Sequence, residues 1–154
     1  MRKQEVTTLC YLEQDGKYLL MHRTKKEQDI NKDKYIGLGG HLEHGESPEE
    51  CVRREILEES GLKAGNLRLR GIITFVIDDA DEYTFLYTGD DFSGELKECD
   101  EGDLVWIDKE ELEKLPIWEG DKIFFRLLKE EHPFFSLKLT YVKDVLTDVS
   151  LDGQ

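Results

Sequence analysis

Residues 40–62 read GHLEHGESPEECVRREILEESGL. The stretch spells a loop, a helix and a stop, each with a local cause. Ser47 is a good N-cap, because its hydroxyl can take a backbone N–H of the first turn. Pro48 follows at the first helical position, where its missing N–H costs nothing. Glu50 stands three residues after Ser47 and completes a capping box. The spacing predicts a helix to about Glu59. Gly61 suits the left-handed residue just past its end. Val52 and Ile56, one turn apart, form the apolar pair that should anchor the helix to a sheet.

On that helix Glu55, Glu58 and Glu59 are related by three and four residues and share one face. Each like-charged pair costs about 0.2–0.5 kcal/mol in an isolated helix. A hard divalent cation reverses the sign of that arrangement, since Mg²⁺ takes carboxylates together with phosphate oxygens. Arg54 can pair with Glu50 and Glu58, one turn away on either side. Runs of Glu are ordinarily solvated faces. Here the Gly, Ser-Pro and Arg residues at fixed offsets set the run apart.

Those offsets follow a template: Gly, five residues, Glu, seven residues, then Arg-Glu-apolar-x-Glu-Glu-x-Gly-apolar. Gly40, Glu46, Arg54, Glu55, Ile56, Glu58, Glu59, Gly61 and Leu62 fill it completely. A chance match is on the order of one in a million for a Glu-rich chain. The stretch resembles the box of the Nudix hydrolase family. The resemblance implies an α/β (α+β) fold, an α/β/α sandwich with a central mixed sheet. It also implies Mg²⁺-dependent hydrolysis of a nucleotide diphosphate linkage, with Mn²⁺ a possible substitute. By the same resemblance Glu58, Glu59 and the Gly39 carbonyl are metal ligands, and Glu55 is a ligand, base or orienting group. Family members often add a carboxylate from a later loop as a further ligand or base. Glu101 is the candidate here, with Glu98 and Asp100 as rivals. Arg23, at a predicted strand end, takes the place of a phosphate-contacting basic residue. Glu46 reads as structural, pairing with Arg54. Gly40 and Gly61 are likewise structural positions of the box. His41 and His44 have no Cys or third His near them in sequence, so a zinc pair is not indicated.

The rest of the chain alternates β-like runs with turns. Strands are predicted at Val6–Leu12, Tyr18–His22, Leu67–Ile77, Glu82–Thr88 and Leu104–Ile107, with a closing strand at Phe134–Val142. Turns are predicted at Gln14–Gly16 and Asp78–Asp81, and a mobile surface loop at Lys25–Lys34. A short helix should cover Lys109–Leu115 and stop at Pro116. A second helix should cover Asp121–Glu130, where Ile123, Phe124, Leu127 and Leu128 keep helical spacing.

With 154 residues and no repeat or linker, residues 1–154 read as one domain. No apolar run approaches the ~20 residues of a membrane span. Met1-Arg-Lys-Gln-Glu carries no apolar segment of the signal-peptide kind. Cys10, Cys51 and Cys99 are scattered and odd in number, which predicts free thiols and a cytoplasmic setting. The net charge of −14 argues against gripping nucleic-acid backbones. It leaves a small nucleotide as the expected partner, reached through divalent metal. Monomer and homodimer both stay open.

Pro116-Ile117-Trp118-Glu119-Gly120-Asp121 resembles a segment of the MutT-like triphosphatases of that family, which clear oxidised purine nucleotides such as 8-oxo-dGTP. There a Trp stacks on the base and acids just after it read the base edge. Trp118 and Asp121 are the corresponding residues. The alternative for Trp118 is a tryptophan packed under the last helix. The chain departs from the pattern at Ile36, where a polar Asn touches the base, and at Gly120, where the first of two Asp residues stands. ADP-ribose, nucleotide sugars and dinucleoside polyphosphates remain alternative substrates, and a non-catalytic nucleotide sensor remains an alternative role.

Overall fold

The computed structural model describes residues 3–154. Strands β1 (Lys3–Gln14) and β2 (Lys17–His22) are joined by a turn in which Asp15 and Gly16 adopt φ of 53° and 75°. A two-residue hairpin needs that left-handed pair to match the twist of its strands. The two strands pair only beside the turn, through Glu13–Tyr18 and Gln14–Lys17. Beyond it they splay apart. β2 pairs along its length with β8 (Asp103–Asp108), and its other edge takes the short β3 (Tyr35–Ile36). The chain after β3 fills the opening: Leu38 and His41 bridge antiparallel to Cys10 and Thr7 of β1.

On its far side β1 pairs in parallel with β6 (Ala80–Gly89). β6 runs antiparallel to β5 (Arg68–Ile77), which runs parallel to β9 (Phe135–Val142). The edge is β10 (Val145–Leu151), antiparallel to β9. The sheet is therefore mixed. A small separate ladder joins β4 (Lys63–Ala64) to β7 (Phe92–Ser93).

Alternation along the strands gives the sheet two apolar faces. Cys10, Leu12, Leu19 and Met21 meet Val52 and Ile56 of α1 (Pro48–Ser60), and both helix residues are fully buried. Tyr11, Ile73, Leu86 and Leu139 meet Phe124, Phe125 and Leu128 of α2 (Glu119–Lys129). Helices on opposite faces of a mixed sheet make the expected α/β/α sandwich.

One expectation needs correction. Phe135–Val142 does not close the fold, because β10 follows it. β10 reads VLTDVSL, is mostly exposed and carries a register shift between Leu146 and Asp148, so its alternation is faint. The short helix expected at Lys109–Leu115 is present as a 3-10 helix over Lys109–Lys114, capped by Asp108 and ended before Pro116.

Candidate active site

The capping box is formed in full. Glu50 N–H donates to Ser47 Oγ at 3.1 Å, and Ser47 N–H donates to Glu50 Oε1 at 2.9 Å. Gly61 ends the helix at φ 80°, its N–H on the Leu57 carbonyl. Because Glu50 is spent on the cap, Arg54 does not pair with it as the sequence suggested. Arg54 instead reaches back to the loop and grips Glu46 with two bonds of 2.7 and 2.9 Å. It also donates to Glu55 at 2.9 Å, Glu58 at 3.2 Å and the His41 carbonyl at 3.2 Å. The guanidinium holds the Glu46 carboxyl down at about 2, and these carboxylates in turn raise Arg54.

Glu55 and Glu59 line a cavity of about 780 Å³. Glu58 lies outside it, exposed and turned toward Arg54. Glu59 accepts the Gly39 N–H at 2.9 Å. Gly39 also lines the cavity, at φ 144°, and a Cβ there would sit 2.0 Å from the Thr8 carbonyl oxygen. Only glycine lets this loop run so close to β1. At Gly40 a Cβ would meet Glu55 Oε1 at 2.7 Å. The glycine pair thus brings the loop, β1 and α1 together at the acidic turn.

The electrostatics of that turn call for positive charge. Burial pushes the Glu59 carboxyl up to about 8; the Gly39 N–H opposes this, and the Glu55 and Glu101 charges add to it. Glu55 is raised by burial first, with Arg54 opposing and Glu58 and Glu101 adding. Glu101 comes in from the loop before β8 and lines the same cavity, whereas Glu98 and Asp100 do not. Arg23 Nη1 stands 3.6 Å from Glu101, and its Nε donates to Asp29 at 2.8 Å. The carboxylates of Glu55, Glu59 and Glu101 line one cavity and offer oxygen donors of the kind a hard divalent cation takes.

The other end of the cavity holds Trp118 and Asp121. Trp118 occupies the N-cap position of α2. Its Nε1 donates to Asn31 Oδ1 at 2.7 Å, Tyr141 meets it edge-on, and Lys34 Nζ lies 4.6 Å over the ring. Asp121 is 6% exposed, and burial alone raises its carboxyl to about 8. Gly120 has a packing reason: a Cβ there would lie 2.6 Å from both Leu139 Cδ1 and the Tyr141 hydroxyl oxygen. Any side chain at that position must displace both groups. Ile36 and Gly37 form the wall beside them.

Sequence reasoning missed several lining residues. Asp29, Ile30 and Asn31 belong to the segment expected as a surface loop, yet they reach the cavity. Thr7, Glu82 and Thr84 also line it. Their signal was available: polar residues stand on β1 and β6 at inward positions where alternation calls for apolar ones. Glu5, His41 and Glu82 bring ligand-capable atoms within 4.8 Å of one another.

Residues 1–128 match the NUDIX domain family. The chain belongs to the NUDIX family. It is 34% identical over 124 residues to the uncharacterized Nudix hydrolase YvcI of Bacillus subtilis, covering 77% of this chain and 74% of that one. It is 30% identical over 154 residues to an oxidized purine nucleoside triphosphate hydrolase of Danio rerio, covering 99% and 97%. The crystal structure of a mutator MutT protein from Bacillus halodurans superposes with a TM-score of 0.85, at 29% identity, over 97% of this chain and 99% of that one. As a NUDIX protein the chain is a hydrolase of diphosphate linkages, and the family works with divalent metal.

Proposed function

We propose that this NUDIX protein, acting as one domain over residues 1–154, converts purine nucleoside triphosphates to the monophosphate and pyrophosphate. Oxidised purines such as 8-oxo-dGTP fall within the proposed range. The observation that carries the reading is one cavity with a metal-type carboxylate array at one end and Trp118 with Asp121 at the other. The Danio rerio relative, matched along nearly its whole length, bears a name of that activity.

Mg²⁺, with Mn²⁺ as substitute, is the cation this reading assigns to Glu58, Glu59, the Gly39 carbonyl and, from the flanks, Glu55 and Glu101. When bound it supplies charge neutralisation and a more acidic water. Glu58 would turn inward from Arg54 to join the set. Glu55 is the preferred proton acceptor, because its raised pKa suits it to take the proton of the water attacking phosphorus; Glu101 is the rival. As the new oxygen–phosphorus bond forms, the bridging phosphorus–oxygen bond breaks and the anionic leaving group departs. Arg23, loosely held by Glu101, is placed to offset charge on the phosphates. Trp118 offers a rigid π face for the base. Asp121, protonated at neutral pH on its raised pKa, would donate to a base acceptor.

Three buried, unpaired cysteines support a reducing, cytoplasmic setting. Among the described residues no helix is long and apolar enough to cross a membrane.

The test is a hydrolysis panel with Mg²⁺: ordinary and oxidised nucleoside triphosphates, ADP-ribose, nucleotide sugars and dinucleoside polyphosphates. Monophosphate and pyrophosphate from purine triphosphates are expected. Turnover confined to ADP-ribose or a nucleotide sugar would reject the assignment. Nucleotide binding without product, across the panel and with Mn²⁺, would reject catalysis.

A further inference from the structure

The cavity floor carries an acidic side chain that the reaction does not use. Thr7 of β1 and Thr84 of β6 are register partners, and Glu82 lies two residues along the same face. Thr7 and Thr84 are 5% and 2% exposed. Their neighbours on that face, Tyr11, Ile73 and Leu86, are core residues. A sheet needing only to pack would place apolar side chains at the threonine positions too.

The hydroxyls instead orient a carboxylate. Thr7 Oγ1 lies 3.1 Å and Thr84 Oγ1 3.3 Å from Glu82 Oε2, and the two hydroxyl oxygens are 2.8 Å apart. Each hydroxyl has one proton, so one can donate to Glu82 while the other donates to its neighbour. Both contacts fall on Oε2. Among the described residues no hydrogen bond reaches Oε1. Nearby Glu5 differs, since its Oε2 is engaged by His41 Nε2 at 2.9 Å.

An anion fixed on the floor of a cavity that admits a polyphosphate is unfavourable unless the ligand brings donors to it. The surrounding walls say which part of the ligand that is. Phe75 is the register partner of Glu82 on β5, and Ile77, Trp118 and Tyr141 line the same cavity. Flat apolar walls with few oriented polar groups suit a planar ring. The matching edge is one with adjacent N–H donors, the ring N–H and exocyclic amine of a 2-amino-6-oxopurine, which a carboxylate can accept as a pair.

We propose that Glu82, oriented by Thr7 and Thr84, is a specificity-determining residue that selects purines bearing that donor edge. The inference rests on reading the cavity as a nucleotide site.

The experiment compares kcat/KM for GTP and ITP, which differ only in the 2-amino group, and for GTP and dGTP. Wild type, Glu82→Gln and Glu82→Leu are assayed with Mg²⁺ and with Mn²⁺. Wild type should prefer GTP over ITP by about tenfold or more, because an oriented acceptor left unpaired penalises the poorer ligand. Glu82→Leu should bring that ratio to near one by losing GTP activity, with ITP turnover kept and the GTP/dGTP ratio unchanged. Glu82→Gln should fall between. A wild-type ratio near one, or an unchanged GTP/ITP ratio in Glu82→Leu, overturns the proposal. So does a changed GTP/dGTP ratio alone, which would assign Glu82 to the sugar. A changed Mg²⁺/Mn²⁺ preference alone would assign it to a cation shared with Glu5 and His41, and also overturns it. Should Glu82→Leu not fold, Thr84→Val, which removes one orienting hydroxyl, must narrow the GTP/ITP ratio or the proposal fails. Should wild type hydrolyse no nucleoside triphosphate, the preceding reading fails by itself. Equilibrium binding of guanosine against inosine to wild type and Glu82→Gln then decides the role of Glu82.

Discussion

The two ends of the cavity are built in opposite ways. The acidic end is assembled mostly from residues close in sequence: Gly39, Glu46, Arg54, Glu55 and Glu59 lie within about two dozen positions, and Arg23 and Glu101 join them from other segments. The end proposed for the base draws on Asn31, Phe75, Glu82, Trp118 and Tyr141, contributed by three strands, a loop and a helix start. Local construction makes a charged array rigid through caps and short-range hydrogen bonds. Distributed construction leaves each wall free to change without the others.

That contrast can be broken hardest at the acidic end. Glu59→Gln keeps the side-chain shape but removes a charge, and should lower kcat by about a thousandfold; steady-state kinetics beside a circular dichroism melt will show whether the fold is spared. Near-normal turnover would refute the metal assignment. Gly39→Ala should cost about 3 kcal/mol or more, because its Cβ collides with the Thr8 carbonyl at a positive φ, readable by urea denaturation.

At the base end, Asp121 gives a pH signature. Burial lifts its folded pKa to about 8, well above the ordinary range of an aspartic acid. Below pH 4 the acid is neutral in both states and imposes no cost. As pH rises toward 8 the unfolded chain ionises first, so stability falls, and it levels off above 8. Asp121→Asn removes that titration, so its Tm relative to wild type should climb by several °C between pH 4 and pH 8. A flat difference would mean the carboxyl is not buried in solution. Trp118→Ala should raise KM about tenfold with kcat little changed, as loss of stacking predicts. Equal losses with every triphosphate, base present or absent, would point to packing under α2 instead. The smallest effect expected is Ser47→Ala, about 1 kcal/mol from the lost cap, detectable as a lower urea midpoint with unchanged KM.

The same contrast explains what could be read from the chain. Ser47, Pro48, Glu50 and Gly61 act on backbone within a few residues, so the limits of α1 were legible before any fold was known. The partners of Arg54 were legible in part: Glu46 and Glu58 pair with it as expected, whereas Glu50 does not, because the cap consumes it. The long strands β1, β2, β5, β6, β8 and β9 announced themselves as β-rich runs, whereas the two-residue β3, β4 and β7 are too short to show a period. β10 did not announce itself either, since an exposed, irregular edge strand leaves no clean period. Asn31 and Glu82 stayed hidden for a different reason: their roles depend on which strands become neighbours. Trp118 and Asp121 were singled out only through family resemblance.

The splay between β1 and β2 gives the architecture an evolutionary latitude. The loop wedged there, Gly37–His41, ties the proposed hydrolytic centre to the chamber beside it. Drift in β5, β6, β9 or the start of α2 can therefore retarget what enters the chamber while the scissile chemistry is inherited intact. On this view, descendants of such a scaffold diversify by reshaping walls, and two relatives sharing every box residue can still consume different metabolites.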